Sequence, residues 1–496
     1  MIILLALFLS GSLQAAPPPV PKTRDSLVLC DDVSDPVTLD PHRAFENKSF
    51  NLIFQMFEGL VRHDRDGRIA PALAKECRFA DPLTLRCVLR SGVRFHNGEP
   101  LDAEAVRWSL TRQLDPATGY PALMEISGIK EVRVPEPGVV EILTRAPDGL
   151  LLHRLAAFVK ILPPRYYQEK GSEAFAQAPV GTGPFRFVSW EKGVSIELEA
   201  NPDYWDAERP KLKRVSFRFL PEAQQLPKLL SGELDLVTEV PATRTLEVAR
   251  NASTRIEKRL VLTTPAFWAT SFDGPLKDPK VRRALNLAVD KRELIRYAVL
   301  GNGEPIATLS MRGETGRAEG LKPYAHDPAK ARRLLAEAGV KPGTRLTILA
   351  AEQAAREAKI LAEQWKRVGL EPELTVLPLS EVHKIMVERR REFDLSANLA
   401  PNPTAHMYFL PGVCFHSRSL FSRLKDPEFD AKYERVLGAV DPEEARRAGS
   451  ELDRFIHDQA LGVFTYQKIR TFGLKRGLEI PIPVTGILSL ESGRWR

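Results

Sequence analysis

The stretch 180–205 constrains the fold more than any other part of this 496-residue chain. It runs Val180-Gly181-Thr182-Gly183-Pro184-Phe185, passes Trp190, and closes on Asn201-Pro202-Asp203-Tyr204-Trp205. Phe185 and Phe187 alternate with polar residues, Glu191-Lys192-Gly193 supplies a turn, and Val194, Ile196 and Leu198 alternate on the return. That pattern predicts a β-hairpin. Gly181 and Gly183 let the entering backbone bend where a Cβ would clash, and Pro184 stops the bend from continuing. No residue of the hairpin carries chemistry of its own.

On either side the periodicity switches repeatedly between strand and helix. Residues 27–29 read as a strand, and Leu52, Ile53, Met56, Phe57 and Leu60 fall at helical spacing. Cys77 and Cys87 stand symmetrically about Pro82, so a tight hairpin sets them opposite each other and predicts a disulfide between them. Asp102 caps a helix through Val106 and Leu110, and Asp290 with Glu293 reads as a capping box. Strand 345–350, helix 356–368 and strand 373–377 form a β-α-β unit, which implies a parallel sheet and a right-handed crossover. The expected class is therefore α/β.

Composition excludes several functions. The net charge of +7 invites a nucleic-acid reading. No basic stripe interleaved with aromatics supports one, and the densest run, Arg389-Arg390-Arg391, lies between Glu388 and Glu392. Residues 2–9 are apolar, too short to span a bilayer, and lead into Ala15-Ala16 and three prolines. This predicts a signal peptide over 1–16 and export without a lipid anchor. The four cysteines form no CxxC pair. No zinc-protease, nucleophile-elbow, P-loop or dinucleotide motif occurs, so no catalytic residue and no cofactor is expected. His406, Cys414 and His416 fall within eleven residues, but their irregular spacing argues for a loop with a buried thiol rather than a metal site. His96 sits in a turn and reads as hairpin support rather than a base.

The hairpin resembles the "GTGPY…W…NPDYW" signature of family 5 bacterial extracellular solute-binding proteins, which serve peptide-type ABC importers. Phe57-Glu58-Gly59-Leu60 resembles the family's "YEGL", "LRSGVRFHNGEPLDAEAVRWSLTR" (89–112) its "LR.GVKFHDG" stretch, and "DPKVRRALNLAVDKRELI" (278–295) its "D.RVRQALNYAID" stretch. The resemblance implies a two-lobed periplasmic binding protein fold of type II with an extra inserted domain. Lobe I would comprise 26–66, 180–266 and 470–496, the inserted domain 67–179, and lobe II 267–469. It also implies a monomer that captures a small-molecule or short-peptide solute between the lobes and presents it to an inner-membrane permease. A ligand sensor acting on a membrane receptor, a nickel-type metal-chelate binder and an exported hydrolase are the rival readings.

Segment matching to the family gives a candidate ligand set: Phe45, Glu46 and Asn47 from the first lobe, Trp268, Ser271 and Phe272 near the hinge, and Asn398, Asn402 and His406 from the second lobe. Phe45, Trp268 and Phe272 offer faces for stacking. Peptide-binding members carry "FD…GW.AD..DP", whose acidic residue pairs with the ligand's amino group. Here Phe393-Asp394 is kept, the Trp and the following Asp are absent, and "DP" has become Asn402-Pro403. Asn hydrogen-bonds an amine without pairing its charge, so a free-amine peptide is not the expected solute.

Overall fold

The computed structural model describes residues 25–31, 35–44, 47–270, 272, 274–388 and 393–496. The expected signal peptide and the Arg389-Arg390-Arg391 run lie outside them. Three sheets organise the chain. The first runs Thr254–Leu260, Tyr466–Lys475, Leu236–Val237, Ser26–Cys30, Arg214–Arg218, Ser195–Ala200, Phe185–Glu191, with Gly303–Pro305 also paired to Tyr466–Lys475. The second runs Leu370–Leu377, Thr344–Ala351, Leu395–Pro401, Thr263–Ala269, Gly462–Val463. The third is antiparallel: Ala74–Asp81, Thr84–Leu89, Val139–Thr144, Ile129–Glu136.

The chain passes from the first sheet to the second at 261–262, touches the first again at Gly303–Pro305, and returns at 464–465. Both passages lie a few residues before the boundaries expected at 266/267 and 469/470. The second sheet is built around the β-α-β unit: Thr344–Ala351 pairs in parallel with Leu370–Leu377 across the helix Ala355–Lys366. The second half of its strand Thr344–Ala351, from Ile348 onward, is apolar on both faces because both are covered. Ile348 and Ala350 enter one core with Trp365, while Leu349 and Ala351 enter another with Trp268, Phe415 and Phe429. In the third sheet Cys77 pairs with Cys87 in register, and the two are joined in a disulfide.

Three of the segments singled out in the sequence, the hairpin 180–205, Phe57-Glu58-Gly59-Leu60 and 89–112, meet at one joint, between the first sheet and the small antiparallel sheet. The clash expected of a Cβ at Gly181 and Gly183 is present, although neither glycine has a left-handed backbone. They face the C-terminal end of the helix Asn47–Met56. A Cβ on Gly183 would lie 2.5 Å from the Gln55 carbonyl oxygen, and one on Gly181 would strike the Met56 carbonyl. His96 pins the same turn: its Nε2–H donates to the Gly183 carbonyl at 3.0 Å, and its Nδ1 accepts from the Gly181 N–H at 3.3 Å. Asn201 donates to the Gly183 carbonyl as well. The hairpin's far turn has Gly193 at φ +73° and is tied to Asp35, which accepts from Trp190 Nε1 at 2.6 Å.

The Asp102 and Asp290 caps form. The capping box at 290–293 is only half made, because the Glu293 carboxylate turns away to Arg367 and Gln364. Those partners lie more than seventy residues on, outside any local pattern.

Candidate functional site

Beside the joint lies a cavity of about 80 Å³, walled by Phe54, Glu58, Arg62, His63 and Lys160 and by the C-terminal segment through Thr485 and Ser489. A smaller hollow adjoins it, lined by Phe50, Phe54, Tyr120, Phe158 and again Lys160. Lys160 reaches both through strand-like alternation. Val159 and Ile161 point into the core of the small sheet, so the side chain between them is sent to the opposite side. The Ile161 N–H donates to the Glu58 carbonyl, and the Lys160 carbonyl accepts from His42 Nε2 at 2.8 Å. His42 Nδ1 faces the Arg112 guanidinium, which only donates, so the imidazole proton belongs on Nε2.

Glu58 is buried and accepts hydrogen bonds from Tyr204 Oη (2.9 Å) and Trp205 Nε1 (3.1 Å). Burial pushes its carboxyl up to about 7, against those hydrogen bonds and nearby Arg62. Burial also lowers the Lys160 ammonium to about 7, opposed by Glu58. The Lys160 Nζ donates to the Ala156 carbonyl at 3.2 Å and lies 3.7 Å from the centre of the Phe54 ring. Arg62 is turned towards Glu491, 3.4 Å away.

His63 carries the cavity wall towards the second lobe. Its Nε2 is 3.4 Å from His153 Nδ1, which donates to the Thr404 carbonyl at 2.8 Å, and the His153 and His406 rings are 5.0 Å apart. Burial holds His63 at about 3 and His153 at about 4 and keeps His406 well below the usual imidazole range, so all three are neutral near pH 7. Further along the same face, Tyr408 Oη donates to Glu125 at 3.0 Å, and the Gly149 N–H donates to the Leu437 carbonyl. A Cβ on Gly149 would strike the Ala439 carbonyl, so the two halves meet backbone to backbone there.

Among the sequence-predicted ligand residues, Phe45, Glu46 and Ser271 lie outside the described residues, and Asn47 opens the helix Asn47–Met56. Trp268 is buried in the second lobe's core, its indole N–H donating to the Phe421 carbonyl at 3.1 Å. Phe272 is half-buried, with the Arg282 guanidinium 5.5 Å from its ring centre. Asn398 is half-buried opposite Ala266, and its buried Oδ1 has no hydrogen-bond partner among the described residues.

Asn402 and His406 are brought together, but inward. Asn402 Nδ2 donates to Glu314 (2.7 Å) and the His406 carbonyl (2.8 Å), while its Oδ1 accepts from the Thr404 N–H and hydroxyl. Asn402 therefore organises its loop and has little capacity left for a solute. Burial pushes its partner Glu314 up to about 8, so that carboxyl is mostly neutral at pH 7. Cys414 lies in the core with its thiol raised by burial, and His416 faces Glu434 and Asp430. Among the described residues no group of three or more His, Cys, Asp or Glu is placed to hold a metal ion.

Sequence reasoning missed Glu58, Arg62, His63, His153 and Lys160 as site residues. The available signal was a lone lysine in the apolar run Leu155–Pro164, Ala-Ala-Phe-Val-Lys-Ile-Leu-Pro-Pro from residue 156.

A sequence model of bacterial extracellular solute-binding proteins, family 5 (middle), matches residues 68–417. The glutathione-binding protein GsiB of Salmonella paratyphi A is 27% identical over 345 residues, which is 68% of this chain and 67% of that protein. GsiB of Escherichia coli K12 is 26% identical over 346 residues, with the same coverage. HbpA2 of Haemophilus parasuis superposes with a TM-score of 0.83 at 22% identity, over 95% of this chain and all of that one. The periplasmic binding protein DppA of Helicobacter pylori, solved with the peptide STSA, gives 0.80 at 21% identity over 95% and 98%. These likenesses carry the two-lobed binding-protein fold.

Proposed function

The chain belongs to family 5 of the bacterial extracellular solute-binding proteins, transport components rather than enzymes, and we propose that it captures a small solute between its lobes other than a free-amine peptide. Solute binding for an ABC importer follows from the family. The nature of the solute is the proposed part, and one observation supports it above the others. The loop that would pair an ammonium holds no carboxylate between Leu395 and Pro403. Its Asn402 is spent on Glu314, Thr404 and the His406 carbonyl, and Glu314 is itself mostly neutral at pH 7. A buried ammonium without a carboxylate partner is costly.

In this reading the exported chain works as a monomer with an inner-membrane permease. Its first lobe carries the first sheet and its second lobe the second sheet, divided at 261–262 and 464–465 rather than at 266/267 and 469/470, with 67–179 as the inserted domain. Closure over the solute is what the permease reads, and the two passages at 261–262 and 464–465 absorb the rotation. Titration with mixed di- to pentapeptides, followed by tryptophan fluorescence and heat, tests the solute class. No binding tighter than micromolar is expected. Tight binding that disappears when the peptide amine is acetylated refutes the proposal.

A further inference from the structure

Residues 67–179 meet the second lobe at a surface that no chain connection explains. Both crossings into the second sheet start from the first, so only non-covalent contacts hold 67–179 against the second lobe. The same residues are pinned to the first lobe. The Ile161 N–H donates to the Glu58 carbonyl at 2.9 Å, His96 holds the Gly183 carbonyl, and the Arg90 guanidinium lies 4.1 Å from the centre of the Trp205 ring. Rotation of the second lobe about the two crossings therefore pulls it away from 67–179.

The surface is built as a plug and a socket. Asp148 fixes the turn that presents the plug, accepting from the Leu150 N–H at 3.1 Å and from Arg154 at 2.6 Å. Leu150, only 1% exposed, is buried in the second lobe's core with Leu410, Phe429, Tyr433 and Val436. In return, Phe409 packs against the core of 67–179, 6.3 Å ring to ring from Phe158. The Gly149 N–H donates to the Leu437 carbonyl at 2.8 Å, and a Cβ there would lie 1.8 Å from the Ala439 carbonyl oxygen. The Gly149 backbone is not left-handed, so the docked lobe, and not the turn, requires the glycine. Tyr408 adds a bond from its Oη to Glu125 at 3.0 Å, and His153 one to the Thr404 carbonyl. Opening returns Leu150 and Phe409 to water.

We propose that the turn 148–150 is a latch, which holds the second lobe closed by seating Leu150 in its core. The proposal rests on the solute-binding reading and makes Gly149 and Leu150 positioning residues. Both are engaged by protein, so the latch acts where no solute sits. The consequence is that apparent affinity scales with the fraction of chains latched, with the solute's own contacts unchanged.

The test uses the full exported chain without solute, by small-angle X-ray scattering and hydrogen exchange. Gly149→Val should enlarge the radius of gyration and speed exchange about tenfold or more in both facing segments, 147–155 and 435–440. Exchange in the hairpin 180–205 and the urea midpoint should stay as in wild type. Tyr408→Phe, which keeps the ring and removes only the bond to Glu125, should shift both readouts the same way by less. Two compact variants with unchanged exchange overturn the latch, as does a wild-type chain already expanded and unprotected at Gly149. Faster exchange on one side alone, or a lowered urea midpoint in both variants, reduces the contact to local packing and overturns it too. None of these results touches the solute-binding reading, which stands or falls on the peptide titration and on co-purified solute.

Discussion

Replacing Gly183 by Ala tests why the glycines of the hairpin entry are there. The added Cβ would lie 2.5 Å from the Gln55 carbonyl oxygen, 2.5 Å from the Met56 carbonyl carbon and 2.7 Å from the Met56 carbonyl oxygen. All three are backbone atoms at the end of a buried helix, so no rotamer change relieves the contact. The hairpin or the helix must retreat by about 0.9 Å to restore ordinary contact. That movement strains the Gly183 N–H to Met56 carbonyl bond of 2.9 Å and the two bonds the Gly183 carbonyl accepts from His96 and Asn201. Overpacking costs about 1–3 kcal/mol, and each weakened hydrogen bond about 0.5–1.5 kcal/mol. The expected loss is therefore about 3 kcal/mol or more. At about 2–4 °C per kcal/mol for a domain of this size, the transition reported by Trp190 falls by about 6–12 °C. Gly193→Ala is the control: nothing lies within 4 Å of its Cβ, but its φ is +73°, so only about 1 kcal/mol of backbone strain is expected. Urea unfolding followed by tryptophan fluorescence measures both. A Gly183→Ala protein within 0.5 kcal/mol of wild type, or equal losses at the two positions, would refute close approach as the reason.

Two further outcomes follow from the buried groups. His153 titrates at about 4 in the folded chain against 6.5 unfolded, so the unfolded chain binds its proton first as pH falls. The stability it contributes is complete above pH 6.5 and lost between 6.5 and 4, about 3 kcal/mol in all. Urea unfolding at pH 7, 6, 5 and 4 should show His153→Asn losing about that much less than wild type, and parallel curves would contradict the burial argument. Cys77 and Cys87 close a loop with a sequence separation of 10, so Cys77→Ser/Cys87→Ser should cost about 2–3 kcal/mol, and an unchanged unfolding midpoint would count against the bridge as a stabilising element.

What the sequence made legible was whatever local pattern encodes. The unit 344–377 was readable because a strand, a helix and a strand each declare their own period, and the Cys77–Cys87 pairing because both residues flank one turn. That a Cβ at Gly181 or Gly183 would clash was readable too, but the partner was not, since close approach to Met56 joins segments more than a hundred residues apart. Glu293 illustrates the same limit: the local pattern predicted a reciprocal cap, and Arg367 captured the carboxylate. The candidate site was harder still. Asn402 drew attention as a departure from a family pattern, yet its hydrogen bonds all turn inward. Trp268, proposed for stacking, is core because strand alternation aims it at Phe421 and its neighbours. Lys160 was visible only as a charge in an apolar run, and its surroundings come from segments far away in the chain.

The central claim, that this chain holds a small solute between two lobes, is tested most directly by native mass spectrometry of the mature protein purified from its own host. One small molecule per chain, released on unfolding and rebound from a host extract, is the predicted result. A bare chain mass under all conditions, with no rebinding from that extract, would contradict the account.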